Sequence, residues 1–135
     1  MTAEELMTTD VTSVSEDAPL RVALEQMQEL SIRHLPVTRE GKLVGILSDR
    51  DVQSMGLRLV TDVESLERLE AKLTLTVGAA MSGNVLSVNR ADDVVEVVDL
   101  LVEEKVGAVP VVDEGRLVGI ISYVDVLRAM RDTLS

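Results

Sequence analysis

The chain has 135 residues, of which 46% are apolar, with one Tyr and no Phe, Trp or Cys. This length is enough for one compact domain, and a core of small aliphatic side chains favours a mixed α/β or α+β architecture over an all-β one. The lack of Cys, together with a single His, excludes thiolate chemistry and a structural zinc site, and the net charge of −11 opposes sustained binding to nucleic acid or to anionic membranes.

The N-terminal segment MTAEELMTTD has neither a basic region nor an apolar stretch, so it does not predict a signal peptide. The longest uncharged stretch, Leu73–Asn89, is interrupted by Gly, Ser, Thr and Asn and is too short to cross a bilayer. The absence of Cys agrees with a reducing compartment. We therefore expect a soluble, cytoplasmic protein that has no membrane partner.

The chain repeats itself at an interval of 74 residues. Aligned at this interval without a gap, Met7–Val52 and Met81–Val126 share 16 identical residues in 46 pairs. The strongest match is between "GKLVGILSDRDV" and "GRLVGIISYVDV", and each of these segments ends with Ser-x-x-Asp followed by Val. A gapless alignment of this length indicates two copies of one structural unit.

The spacing within each copy predicts the order strand, helix, strand, strand, helix. Apolar residues at i, i+3, i+4 and i+7 form one stripe on the first helix, and Asp17 and Asp92 are candidate N-caps of the two copies. Glu-Gly pairs at 40–41 and 114–115 predict the turn between the last two strands, and Ser48 and Ser122 begin the second helices. The predicted strands are Val11–Val14, His34–Thr38 and Leu43–Leu47 in the first copy, and Val85–Val88, Ala108–Val112 and Leu117–Ile121 in the second.

The two copies are joined by a polar segment. Its "DVESLERLEAKL" favours a helix that continues the second helix of the first copy. We therefore divide the chain into a first motif at 1–55, a mostly helical linker at 56–79 and a second motif at 80–135. One motif is too short to bury a core alone, so we expect the two to pack together about a pseudo-two-fold axis.

The element order, the segments "RHLPV" and "GAVPV", the two Gly-x-Leu-Val-Gly-Ile runs and the paired Ser-x-x-Asp together resemble a CBS domain, the motif named after cystathionine β-synthase. Two in tandem form a CBS pair, or Bateman module, and the resemblance covers the chain from about Glu4 to about Met130. The segment "LEAKLTLTVGAAMSGNV" and the long linker also resemble stand-alone CBS proteins of the acetoin-utilisation type.

This resemblance implies two βαββα units whose sheets pack together with the helices outside. It implies a homodimer that forms a flat disc, either parallel or antiparallel. It also implies clefts between the units that bind an adenosyl ligand, which is AMP, ADP, ATP or S-adenosylmethionine in most relatives. No cofactor is required, although Mg²⁺ could accompany a polyphosphate.

The resemblance places the ribose-binding carboxylates of the family at Asp51 and Asp125, and their partner hydroxyls at Ser48 and Ser122 beside the phosphate or ribose. A carboxylate can accept hydrogen bonds from both ribose hydroxyls. The same Ser-x-x-Asp pattern is also close to a capping box, which would stabilise each helix by about 1 kcal/mol without any ligand. The two roles are compatible, because Asp can cap an empty site and bind ribose when the site is filled.

Phosphate-binding side chains are concentrated in the first copy. Arg33–Arg50 has four basic and two acidic residues, whereas the equivalent Gly107–Val124 has one basic and two acidic. We therefore assign Arg33, His34 and Arg50 to phosphate or ribose, with a solvated surface role, or for His34 a half-buried strand position, as the alternative. A charged His34 beside phosphate would titrate near neutrality and make binding depend on pH.

In the family, small apolar residues before and within the first two strands enclose the adenine base. Most of these positions would be apolar core in any case, and Tyr123 could either lie beside a ligand or cover the start of its helix. The base-pocket candidates are Thr8, Val11, Thr12, Leu35, Pro36, Ser82, Val85, Leu86, Ala108, Val109, Pro110 and Tyr123.

The sequence thus predicts a regulatory module that senses an adenosyl ligand and passes a change of conformation to an unidentified partner protein. The alternative is a structural or dimerisation module that binds no nucleotide. An enzyme is disfavoured because no nucleophile–base pair or metal cluster is apparent. Nucleic acid is disfavoured by the charge and by the lack of stacking aromatic residues.

Overall fold

A computed structural model describes residues 1–55 and 63–134. Within these residues the chain forms six strands and seven helices. The strands are β1 (Val14–Ser15), β2 (His34–Arg39), β3 (Lys42–Ser48), β4 (Val88–Asn89), β5 (Ala108–Asp113) and β6 (Arg116–Ser122). The helices are α1 (Ala3–Leu6), α2 (Leu20–Leu30), α3 (Asp49–Ser54), α4 (Val63–Leu73), α5 (Val77–Ala80), α6 (Val94–Glu103) and α7 (Tyr123–Leu134).

The predicted mixed α+β class is confirmed, and each repeat has the order β-α-β-β-α. The chain divides into two compact units. The unit that contains Asp51, called the Asp51 unit below, comprises Thr12–Glu40 and Val44–Val85. The unit that contains Asp125, the Asp125 unit, comprises Met1–Val11, Gly41–Leu43 and the described residues from Leu86 onward.

In the Asp51 unit, β1 lies parallel to β2, and β3 is the neighbour of β2 on its other side. Helix α2 directs one apolar stripe inward because Leu20, Ala23 and Met27 follow helical spacing. These side chains pack against residues of the strands and of α5. The buried core consists of Val14, Leu20, Ala23, Met27, Leu35, Val37, Leu47 and Val77.

The Asp125 unit repeats this arrangement. Strand β4 is parallel to β5, and β5 and β6 form an antiparallel hairpin. The turn of that hairpin has positive φ at both Glu114 and Gly115 (52° and 82°), the combination that favours Gly at the second position. The buried core consists of Ala3, Val88, Val97, Val109, Val111 and Ile121.

The compact units do not coincide with the sequence repeats. Helix α1 precedes the first repeat but belongs to the Asp125 unit, whereas α5 precedes the second repeat and belongs to the Asp51 unit. The short helix that precedes each repeat therefore belongs to the unit built from the other repeat. The boundaries 1–55, 56–79 and 80–135 describe the sequence motifs and stay a prediction.

Several local predictions need correction. The first strands begin at Val14 and Val88 rather than at Val11 and Val85, because pairing with the neighbouring strand starts there. Asp17 does not cap α2, whose N-cap is Pro19 and has no side-chain bond. Asp93, rather than Asp92, caps α6 by accepting a hydrogen bond from Val95 N at 2.9 Å.

Helices α4 and α5 lie in the segment between the two repeats. Helix α3 ends at Ser54, and the predicted continuation between α3 and α4 lies outside the described residues. Within the described part of the linker, Lys72 Nζ donates a 2.6 Å hydrogen bond to the carbonyl of Met55. This bond connects α4 to the C-terminal end of α3.

Candidate functional site

Each Ser-x-x-Asp lies where a strand ends and a helix begins. At the end of β3, Ser48 N–H donates to Asp51 Oδ2 at 2.8 Å, and Asp51 N–H donates to Ser48 Oγ at 3.1 Å. This reciprocal pair is a capping box, and it satisfies two backbone donors at the helix start. The capping interpretation of the first motif is therefore confirmed.

The second motif has the same geometry at the end of β6. Ser122 N–H donates to Asp125 Oδ2 at 2.8 Å, and Asp125 N–H donates to Ser122 Oγ at 3.2 Å. The hydroxyl of Ser122 also lies 3.1 Å from Asp125 Oδ2. Both carboxylates are only partly buried. An ionised carboxylate has about four acceptor positions, so capping leaves each one able to accept further hydrogen bonds.

In each unit, a short segment of the other repeat pairs with the last strand just before the Ser-x-x-Asp. These two crossing segments are Met81 and Ser82 in the Asp51 unit and Met7 and Thr8 in the Asp125 unit. In the Asp51 unit, Ser82 forms an antiparallel bridge with Ile46. In the Asp125 unit, Thr8 forms the equivalent bridge with Ile120. The sequence grouped Thr8 with the first motif and Ser82 with the second, whereas the structure places each of them in the unit built from the other motif.

Close approach of the crossing segments depends on glycine. A Cβ built on Gly45 would clash with Met81 Sδ and would lie 2.9 Å from the carbonyl oxygen of Ser82. A Cβ on Gly119 would meet the side chain of Met7 instead. The second glycine of each Gly-x-Leu-Val-Gly-Ile run, Gly45 or Gly119, thus lets the crossing segment lie directly on the strand.

The side chains at the start of α3 differ from those at the start of α7. Ser82 Oγ lies 3.3 Å from Asp51 Oδ1 and donates a hydrogen bond to it. No hydrogen bond from Thr8 to Asp125 is present among residues 1–55 and 63–134, and the bonds that Asp125 accepts from Ser122 all fall on Oδ2. Sequence reasoning did not find the Ser82–Asp51 contact, because 31 residues separate the two positions.

The cations predicted to bind phosphate lie in the Asp51 unit. The carbonyl of Arg33 accepts a 2.9 Å hydrogen bond from Asp49 N, which fixes the start of β2 beside the start of α3. The side chains of Arg33 and Arg50 are exposed. At the equivalent positions the Asp125 unit has Gly107 and Val124.

His34 is half-buried at the start of β2. Burial lowers its pKa below the ordinary value, and the positive charge of Arg33 lowers the pKa further. Asp51 and Asp49 oppose this shift with their negative charges. The net effect lowers the pKa of His34, which favours the neutral imidazole. The prediction that His34 titrates near neutrality beside a bound phosphate stays a prediction.

The base-pocket candidates separate by burial. Their buried members belong to the cores of the two units: Leu35, Pro36, Ala108, Val109 and Pro110. Their half-buried or exposed members are Thr8, Val11, Thr12, Ser82, Val85, Leu86 and Tyr123. Tyr123 lies at the start of α7 and is 55% exposed.

Within the described residues, no group of three or more His, Asp or Glu side chains is arranged to hold a metal ion. None of the helices described is both long and apolar enough to span a bilayer.

Comparisons with known proteins agree with this geometry. A CBS domain-containing protein of Dictyostelium discoideum is 35% identical over 131 residues, which cover 92% of this chain and 87% of the relative. The crystal structure of CBSX2 in complex with AMP matches with a TM-score of 0.83 and 29% identity, covering 99% of this chain and 98% of that one. The Vibrio cholerae protein AcuB, assigned to acetoin utilization, matches with a TM-score of 0.81 and 27% identity, covering 99% and 93%.

The family model of the CBS domain matches twice, at residues 3–55 and 77–132. These two ranges contain both Ser-x-x-Asp corners and both crossing segments, and they cover more than half of the chain. The chain therefore belongs to the CBS domain family, as a tandem pair similar to AcuB.

Proposed function

We propose that this protein is a regulatory module that binds an adenosyl ligand, with Asp51 and Asp125 as the ribose-binding carboxylates. The observation that supports this most directly is that both carboxylates are partly exposed at two equivalent corners, in a chain that matches the AMP complex of CBSX2 over nearly its whole length. The motif boundaries 1–55 and 80–135, with a linker at 56–79, are part of the proposal. The family-model ranges support them.

The proposed contacts follow from the chemistry of each side chain. Asp51 and Asp125 accept hydrogen bonds from ribose hydroxyls through the lone pairs that capping leaves free. Ser48 and Ser122 lie next to these carboxylates and face the phosphate or ribose. The exposed members of the base-pocket set, rather than the fully buried ones, are the side chains that can reach the adenine without opening the core.

A phosphorylated ligand is favoured at the Asp51 unit. Arg33, His34 and Arg50 supply cationic or neutral donors there, and arginine is well suited to phosphate. The equivalent residues of the Asp125 unit are Gly107, Ala108 and Val124, which supply no positive charge. The candidates are AMP, ADP, ATP and S-adenosylmethionine, with Mg²⁺ where a polyphosphate is bound, and no cofactor is required.

A structural or dimerisation module is the second candidate. It is favoured by the capping boxes themselves, because both Ser-x-x-Asp motifs have a structural role that requires no ligand. A stripe on α7 also remains exposed and apolar, with Tyr123, Leu127, Met130 and Leu134 each more than half exposed. We propose that the protein forms a homodimer, and a dimer with empty sites would account for both features.

The proposed role is regulatory rather than catalytic, with a partner protein still to be identified. Ligand binding changes a partner only if the ligand binds two conformations with different affinities. The absence of Cys supports a cytoplasmic location.

The test is a thermal-shift screen with AMP, ADP, ATP, S-adenosylmethionine and GMP, with and without Mg²⁺, on the wild type, Asp51→Ala and Asp125→Ala. A ligand at about 100 times its dissociation constant adds about 2.7 kcal/mol of stability. We expect a rise in melting temperature with one adenosyl ligand that is reduced in at least one of the two variants.

Loss of a helix cap alone lowers the melting temperature of both Asp variants, so a matched control is needed. Asp93→Ala removes the cap of α6, which is not part of either site, and should keep the full ligand-induced rise. An unchanged melting temperature with every ligand would contradict the sensor and favour the structural module. Light scattering measures the dimer in the same samples.

A further inference from the structure

We propose that Ser82 is a positioning residue for Asp51, so that the Asp51 site selects for ribose hydroxyls more strongly than the Asp125 site. This inference rests on the proposed function, because it concerns how the carboxylate of Asp51 is presented to a ribose. In this role Ser82 acts on the ligand indirectly, by orienting the carboxylate of Asp51, in addition to any contact of its own with the base.

The backbones around the two carboxylates are closely equivalent. Ile46 and Ser82 exchange two backbone hydrogen bonds, of 3.1 Å and 2.9 Å. Ile120 and Thr8 exchange the same two bonds, of 3.1 Å and 2.9 Å. Any difference in how the two carboxylates are held therefore comes from side chains, and not from the position of the crossing segment.

The two carboxylates are held differently. Asp51 accepts Ser48 N–H on Oδ2 and Ser82 Oγ–H on Oδ1, so both of its oxygens are restrained. Asp125 accepts hydrogen bonds from Ser122 on Oδ2. A carboxylate restrained at both oxygens loses less side-chain freedom when it binds. Oδ1 of Asp51 keeps a second lone pair for a ribose hydroxyl, so Ser82 orients this oxygen without occupying it fully.

The identity of the crossing residue explains the difference. Serine has a single heavy atom on Cβ and can turn its hydroxyl toward Asp51, whereas the β-branched side chain of Thr8 has restricted χ1 freedom. The repeat thus carries a hydroxyl residue at both positions, but only Ser82 bonds to the carboxylate beside it among the described residues.

The test compares AMP with 2′,3′-dideoxy-AMP, which lacks both ribose hydroxyls. Titrations are followed by NMR, with the amides of Ser48 and Asp51 reporting one site and those of Ser122 and Asp125 reporting the other. In the wild type we expect the preference for AMP over the dideoxy ligand to be larger at the Asp51 site. In Ser82→Ala we expect this preference to fall by about threefold at that site, which corresponds to the lower end of the net contribution of one hydrogen bond.

Thr8→Ala is the matched control, because it removes a hydroxyl at the equivalent position of the other unit. It should change the affinity of the Asp125 site for the two ligands by the same factor, so that their ratio stays constant. A general loss of structure in Ser82→Ala would also weaken both ligands equally and would not change their ratio.

The outcomes separate this inference from the function on which it rests. An unchanged ratio in Ser82→Ala, in a protein whose wild type binds AMP at Asp51, overturns the role of Ser82 and leaves the proposed function standing. A higher ratio shows that Ser82 competes with the ribose and also overturns the role. A wild type that binds neither AMP nor any other adenosyl ligand of the thermal-shift screen at either site overturns both.

Discussion

The Asp51 unit and the Asp125 unit have the same backbone pattern with different side chains. In both, a crossing segment lies on a strand at a glycine, and a capping box follows at the strand end. The fold needs the glycine and the cap in both copies, because each satisfies a steric or hydrogen-bonding requirement of the backbone. The fold does not need Arg33, His34, Arg50 or Ser82, and at these four positions the two copies differ.

Positions that the two copies share and positions at which they differ therefore have different roles. Residues that are identical in the two copies mostly satisfy steric or hydrogen-bonding requirements of the backbone. Residues that differ between the two copies are where the two sites can acquire different ligand preferences. The following predictions use substitutions that make the units more alike or more different.

The largest effect is expected where glycine lies under a crossing segment. Gly45→Ala should reduce the free energy of unfolding by about 2 kcal/mol, because the added methyl group meets the backbone oxygen of Ser82, which cannot move alone. Gly119→Ala should cost about 1 kcal/mol or less, since only the adaptable side chain of Met7 must move. Urea denaturation measures both values.

Gly83→Ala is the control for these variants, because a Cβ there has no atom within 4 Å. It should leave the stability nearly unchanged. If Gly45→Ala and Gly119→Ala lowered the free energy of unfolding equally, the two crossing segments would accommodate the added methyl group equally well. That result would contradict the expected difference between the units.

The next effect concerns charge. The double variant Arg33→Ala/Arg50→Ala gives the Asp51 unit the uncharged character of the Asp125 unit at these positions. We expect its preference for AMP over adenosine at the Asp51 site to fall by about tenfold at low salt, because the variant removes both arginines that we propose as phosphate ligands. Isothermal titration calorimetry at two salt concentrations measures the effect.

Arg21→Ala changes the net charge by removing an exposed arginine of α2 in the same unit, and serves as the comparison. Its preference for AMP should stay within about twofold of the wild type, as expected for an exposed charge that salt screens. A loss as large as that of the double variant would indicate a general field effect and no local phosphate contact.

A smaller effect tests the corrected helix cap. Asp93→Ala should lower the free energy of unfolding by about 1 kcal/mol, since the N–H of Val95 loses its acceptor. Asp17→Ala should have little effect, because its side chain does not cap α2. Thermal denaturation of the two variants would contradict the assignment if Asp17→Ala proved the more harmful.

The smallest effect is a dependence of stability on pH. The pKa of His34 is lowered in the folded state, mainly by burial. As the pH falls below about 6.5, the ordinary pKa of histidine, the unfolded chain therefore takes up a proton before the folded protein does. The contribution of His34 to stability is complete above that pH and is lost as the pH falls through the folded pKa. His34→Gln should therefore lose less stability than the wild type between pH 7.5 and pH 5.

Denaturation curves at a series of pH values measure this difference. Parallel curves for the wild type and His34→Gln would show that His34 is not the source of the pH dependence.

Bound phosphate near His34 would favour the charged imidazole, so the affinity for AMP should rise as the pH falls from 8 to 6. Equal affinity across that range would separate His34 from the phosphate.

Sequence patterns alone predicted the repeat, the order of elements within each copy, both Glu-Gly turns and both Ser-x-x-Asp motifs. These features depend on residues that are close in the chain, where apolar spacing and turn chemistry act directly. The exact N-cap of α6 was missed by one residue, because Asp92 and Asp93 are both good caps and only the final backbone geometry selects Asp93.

Which crossing segment lies beside which carboxylate depends on the folded chain, and local sequence patterns do not predict it. Ser82 and Asp51 meet because a bridge to Ile46 holds the segment on β3, and that bridge depends on the space above Gly45. The lowered pKa of His34 likewise depends on burial and on charges that folding brings near it. Such contacts join residues far apart in the chain, and local patterns contain no information about their partners.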